Sequence, residues 1–131
     1  MEEDKSSRVN EKNWRCICDR LKMGACPSLE SIYLPGNCIG TAGVEALMEV
    51  YHDGHIKHCT ALDLTGNSIG DKGAIALANL FNIPDLCTNM TTLKLSNNKI
   101  RSKGWDAFLA RFAAESHSSL HTLDISCITN Q

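Results

Sequence analysis

The sequence lacks an excess of either charge: thirteen Lys and Arg stand against fifteen Asp and Glu, a formal net charge of -2. That balance removes the electrostatic footprint of a protein that binds nucleic acid or an anionic membrane. A long apolar run is missing too. No stretch approaches the roughly 20 residues needed to span a bilayer, and Met1 to Arg8 are polar and charged, without the apolar core of a secretory signal. The chain is therefore expected in the cytoplasm, or the nucleus, with no membrane and no nucleic acid as partner. Cysteine is present but unpaired in pattern: Cys16, Cys18, Cys26, Cys38, Cys59, Cys87 and Cys127 form an odd, scattered set. In a reducing compartment they are expected as free thiols filling small apolar sites. The glycosylation acceptor Asn89-Met90-Thr91 is then expected to stay unmodified. At 131 residues the chain has room for one small domain and no second.

What the chain does have is repetition. Leu-x-Leu-x-x-Asn-x-Ile-Gly-x-x-Gly-x-x-Ala-Leu runs from Leu62 to Leu77, recurs from Ile32 to Leu47, and recurs in degraded form from Leu93 to Phe108. The asparagines Asn37, Asn67 and Asn98 set a period of 30 and then 31 residues, and the strand part returns at Leu120, Leu123 and Ile125. Within each unit, Leu and Ile alternate with polar residues over about five positions, as in a short strand with one buried face. After the Asn, residues such as Gly43, Ala46, Leu47 and Val50 recur at three- and four-residue spacing, the mark of an amphipathic helix. Each unit reads as strand, turn, helix, and each is too small to fold alone.

These residues resemble the leucine-rich-repeat family, with its L-x-x-L-x-L-x-x-N-x-L signature. It is read here as Leu29, Ile32, Leu34, Asn37, Ile39, then Cys59, Leu62, Leu64, Asn67, Ile69, and then Met90, Leu93, Leu95, Asn98, Ile100. The trailing Gly-x-x-Gly-x-x-Ala-Leu is similar to the ribonuclease-inhibitor-like subfamily. The resemblance implies an α/β fold: a short right-handed solenoid, a horseshoe segment with parallel strands on the concave face and α-helices on the convex face. Residues 1–8 are expected as a disordered polar tail, 9–28 as a helical cap bearing Val9, Trp14, Ile17, Cys18 and Leu21 on one face, and 29–131 as three full repeats and a final strand. The surplus length of the repeats is expected in the loops 52–58 and 82–89.

The asparagines Asn37, Asn67 and Asn98 are expected to form a buried ladder, since their side chains can satisfy backbone groups left unpaired at the bend. Gly40 and Gly70 suit a positive-φ turn or a close approach. Arg101 and Ser102 replace that punctuation in the third unit, which is expected to deviate locally. The outward strand positions form three columns: Ser31, Ala61, Thr92, Thr122; Tyr33, Asp63, Lys94, Asp124; and Pro35, Thr65, Ser96, Ser126. These are the candidate partner-binding residues. Tyr33 is the candidate aromatic anchor, while Asp63, Lys94 and Asp124 either read a polar partner or satisfy one another across the strands. A last strand from Thr122 to Ser126 is expected to leave an open edge that invites a partner or a homodimer.

Three motifs hint at chemistry. Gly66-Asn67-Ser68-Ile69-Gly70 matches a nucleophile elbow, yet Ser68 occupies a repeat position that holds Cys38 in the first unit and Lys99 in the third, and no Asp and His are placed to serve it. His52, His55, His58 and Cys59, with Asp53, are potential zinc ligands, but their spacing fits no known metal pattern. Cys16 and Cys18 project about 200° apart on a helix. The chain is thus expected to be no enzyme and to hold no metal or cofactor. The expected function is a protein-interaction module that binds a protein or peptide through the concave strands, with self-association through the last strand. The alternative is a regulator of an enzyme, of inhibitor or GTPase-activator type, with Arg101 and Lys99 as candidates by location.

Overall fold

A computed structural model describes residues 10–83, 90–114 and 122–124. Helix α1 (Glu11–Lys22) leads into three strand–helix units: β1 (Ser31–Tyr33) with α2 (Gly40–His52), β2 (Ala61–Asp63) with α3 (Asp71–Ala78), and β3 (Thr92–Lys94) with α4 (Ser102–Ala114). Strand β4 (Thr122–Asp124) completes a four-stranded parallel sheet of order β1-β2-β3-β4. The helices lie in a second layer behind the sheet, so the architecture is a short α/β solenoid. A helix closes α3 with a final 3-10 turn, Asn79–Asn82.

The core lies between the layers. Ile32, Leu62 and Leu93 point inward from the strands, Leu64 and Leu95 follow them, and Leu47, Leu77 and Phe108 meet them from the helices. The strands are three residues long where the alternation predicted about five. Backbone pairing nevertheless continues past their ends, with Leu34 N–H donating to Asp63 O and Gly36 N–H to Thr65 O, while the chain turns at Gly36, whose φ is +70°.

The helices stack through the glycine in the first turn of each, Gly43, Gly73 and Gly104. A Cβ on Gly73 would lie 2.5 Å from Ile69 Cγ2 and 3.0 Å from Thr41 Oγ1, and one on Gly104 would lie 2.6 Å from Asp71 Oδ1. Successive helices approach so closely that only glycine fits there. Helix α1 occupies the corresponding place ahead of α2. Trp14, 3% exposed, packs its ring against Gly43 and donates its indole N–H to Gly43 O at 2.9 Å.

Several expectations need correction. Ile17 is 39% exposed, because the buried stripe of α1 is the narrower set Trp14, Cys18 and Leu21, and Val9 falls outside the described residues. Gly40 does take a positive φ of +65°, but Gly70 has φ -98°, and the left-handed positions shared by successive turns are Gly36, Gly66 and Asn97, just before each ladder Asn. The third unit does deviate locally, since Lys99 is not left-handed as Cys38 and Ser68 are, yet its helix starts without the glycine. Arg101 N–H donates to Asp71 Oδ1 at 2.7 Å, and α4 runs 13 residues, as long as α2. Cys16, Cys26 and Cys38 are exposed, and only Cys18 and Cys59 fill core sites among the described cysteines.

Candidate functional site

Strands β1 to β3 each present two side chains to the sheet face away from the helices, and parallel pairing without offset aligns all four strands residue by residue. Ser31, Ala61, Thr92 and Thr122 stand in one row, and Tyr33, Asp63, Lys94 and Asp124 in the next. Tyr33 is 73% exposed, the most open aromatic among the described residues. A shallow cavity of about 340 Å³ lies on this face, lined by residues of both rows from Ser31 and Tyr33 to Thr92 and Lys94.

The third column behaves differently. Pro35 and Thr65 are half-buried, Ser126 lies outside the described residues, and Ser96 is only 5% exposed. Its hydroxyl donates to Asp124 Oδ1 at 2.5 Å, which ties the side chain to the next strand. Asp63 is engaged within its own strand: Oδ1 accepts from Thr65 N–H at 3.1 Å and from Thr65 Oγ1 at 2.7 Å. Among the described residues no ion pair joins Lys94 to Asp63, so the two carboxylates of the row are occupied by hydroxyl neighbours and the ammonium between them is not.

Beneath this face the asparagines are linked from repeat to repeat. Asn67 Oδ1 accepts from the N–H groups of Asn37 and Ile39, and its Nδ2 donates to Leu34 O and Thr65 O. Asn98 Oδ1 serves Asn67 and Ile69 in the same way, and its Nδ2 donates to Leu64 O, Leu95 O and Ser96 O. Every rung thus closes the turn of the repeat before it. Asn67 and Asn98 are buried, whereas Asn37, in the first unit, is half-buried and donates to its own Pro35 O.

A second set of links escaped the sequence reading. Thr41 Oγ1 accepts from Gly70 N–H, and Asp71 Oδ1 from Arg101 N–H, one repeat onward. The signal was available: positions 41, 71 and 102 hold Thr, Asp and Ser, residues whose short side-chain oxygens satisfy free N–H groups where helices begin.

Ser68 is exposed at φ +61°, and Cys38 one repeat earlier takes φ +55°, so the left-handed turn belongs to the repeat and not to a nucleophile. Among the described residues no three His, Cys, Asp or Glu side chains converge on a possible metal position. Cys59 is buried, and the neighbouring Tyr51 hydroxyl donates to Cys59 O at 2.8 Å. Burial raises the pKa of both Tyr51 and Cys59, and pushes Cys18 up to about 12, with Asp19 adding to the effect. These groups stay protonated and inert near neutrality. Among the described residues no helix is long and apolar enough to cross a membrane.

Three stretches, residues 25–48, 55–78 and 86–109, match the family described as Leucine Rich repeat, together more than half of the chain. The chain is also 29% identical over 106 residues to Serine/threonine-protein kinase BRI1-like 1 of Arabidopsis thaliana; the match covers 81% of the chain and 8% of the length of that protein. Each matched stretch ends on the helix behind its strand, at Met48, Ala78 and Leu109, in agreement with the strand–helix units described above. The chain belongs to the leucine-rich-repeat family, whose repeats generally mediate protein–protein interaction rather than catalysis.

Proposed function

We propose that this chain is a non-enzymatic interaction module whose partner, a protein or an extended peptide, lies across the sheet face formed by Ser31, Tyr33, Ala61, Asp63, Thr92, Lys94 and Asp124. The observation that carries this reading is the open Tyr33 ring, 73% exposed, in register with polar side chains on the next three strands. An aromatic ring on a rigid scaffold buries a large area on binding at small entropic cost. Four strands at about 4.8 Å spacing give a face about 15 Å wide, suited to a peptide or a single loop. Full helices of 13 residues behind β1 and β3 support the ribonuclease-inhibitor-like subfamily. The enzyme-regulator reading gains nothing comparable: Arg101 and Lys99 are exposed, and the bonds that place them come from their backbone N–H groups, to Asp71 and Ile69.

Selection of peptides on the intact chain from a random display library tests the assignment. Binders are expected to lose at least tenfold in affinity with Tyr33→Ala while the melting temperature holds. Binders indifferent to both Tyr33→Ala and Lys94→Glu would remove the strand face from consideration.

A second reading, self-association at the end that carries β4, rests on one comparison between repeats. Val44 and Ala74 are fully buried, and so nearly are Met48, Ala78, Tyr51 and Phe81. Their counterparts Trp105 and Phe112 are only partly buried, and Leu109 is 38% exposed. In the inner units the next helix covers these positions; among the described residues no helix follows α4, and there they form an apolar stripe at the end of the stack that carries β4. A pair of chains meeting there would bury the stripe and pair the edge. Light scattering is expected to show a dimer that Leu109→Glu dissociates. A monomer at all concentrations would rule it out.

A further inference from the structure

We propose that the strand face takes a cationic side chain, arginine or lysine, of an extended peptide between the Tyr33 ring and the Asp63 carboxylate. This inference rests on the reading of the strand face as the binding surface and names the chemistry that surface selects.

Tyr33 and Asp63 are direct partners on β1 and β2. Neighbouring parallel strands lie about 4.8 Å apart, so ring and carboxylate flank one narrow space. The adjacent row holds only Ser31 and Ala61 there, side chains too short to fill it, and the cavity of about 340 Å³ opens at that point. Asp63 is held in advance. Both of its bonds from Thr65, at 3.1 and 2.7 Å, fall on Oδ1, which fixes the carboxylate plane and leaves Oδ2 to a ligand. A planar guanidinium can meet that oxygen while its face or stem lies on the aromatic ring, combining a charge-assisted hydrogen bond with cation–π attraction.

The charges around the space decide its sign. Lys94 is flanked in register by Asp63 on one side and Asp124 on the other, so an anion approaching it meets a carboxylate from each strand. Asp63 has a carboxylate two strands away, the Lys94 ammonium on one side, and on the other only the uncharged Tyr33 ring. Its approach from β1 is therefore open to a cation. The row carries two carboxylates against one ammonium, which favours the same sign.

The test is a titration of the full-length, isotope-labelled chain, followed by NMR, with three blocked pentapeptides that differ only in a central Arg, Gln or Glu. The Arg peptide is expected to shift the amides of Tyr33, Ala61 and Asp63 saturably, roughly tenfold more tightly than the Gln peptide. Asp63→Asn, which keeps an oxygen for Thr65, is expected to erase that preference, Tyr33→Leu to reduce it, and Lys94→Gln to enlarge it, with melting temperatures confirming the fold of each. Preference for the Glu peptide that disappears with Lys94→Gln overturns the proposal and leaves the strand face as the binding surface. Equal binding of all three peptides to the strands overturns it likewise. Shifts confined to residues away from the strands overturn both readings.

Discussion

Replacing Asn67 by alanine should cost more than its single side chain suggests, because three backbone groups lose their partner at once and a fourth, Thr65 O, is left with Gly36 N–H alone. Two N–H donors, of Asn37 and Ile39, at 3.1 and 3.2 Å, and two carbonyls, of Leu34 and Thr65, at 2.7 and 3.1 Å, all bond to a fully buried side chain. An unsatisfied buried polar group costs roughly 1–3 kcal/mol. Even at about 1 kcal/mol for each of the three orphaned groups, the loss comes to about 3 kcal/mol, a large share of the roughly 5–15 kcal/mol that holds a small domain together. Asn98→Ala should cost at least as much, since Asn98 reaches five groups. Asn37→Ala, at a half-buried position, should cost under about 1.5 kcal/mol. Urea unfolding followed by circular dichroism, with the slope checked for constancy across the series, measures all three. If Asn67→Ala is as stable as the unaltered chain, or if the three substitutions cost the same, the side chains do not link the repeats in the way described.

Two further outcomes follow from the packing and the buried ionisable groups. Gly104→Ala would place its Cβ 2.9 Å from Asp71 Cα and 2.6 Å from Asp71 Oδ1, so it should lower stability by about 1–3 kcal/mol in the same urea assay; a neutral result would show that the helices are not in close contact there. Tyr51 and Cys59 have pKa values raised above their ordinary 10.0 and 9.0, and Cys18 is raised from 9.0 to about 12. The folded chain therefore holds protons that the unfolded chain releases, and this contribution is complete below about pH 9 and lost as the pH rises above it. Thermal melts from pH 7 to 11 should fall on the alkaline side, and Tyr51→Phe should flatten the part of the fall above pH 10; a profile unchanged by that substitution would count against a buried, neutral phenol.

Much of the architecture was legible in the residues. The change of period from two to 3.6 within each unit separated strand from helix, and the recurrence of Asn37, Asn67 and Asn98 aligned the units, so the register Ser31–Ala61–Thr92–Thr122 follows from counting. The concave rows were legible for the same reason, since alternate residues of a strand face opposite sides. Ser96 and Ile17 were not. Their alternation or helical spacing is correct, but their exposure depends on what lies beside them: Asp124 accepts the Ser96 hydroxyl, and the packing on Gly43 admits only part of α1's apolar face.

The sequence by itself determined the repeat, its strand–turn–helix order, and the face on which each residue of a strand lies, because these are properties of one unit and its local periodicity. Only the tertiary structure decided that Asp71 serves the backbone of the next repeat, that the left-handed turns fall at Gly36, Gly66 and Asn97, that Leu109 stays exposed where Met48 is covered, and that Asp63 is held by Thr65 on one oxygen. The physical reason is common to all four. Each depends on a contact or a backbone bend fixed by the geometry of stacking, and identical letters in successive repeats meet different neighbours according to their place in the stack.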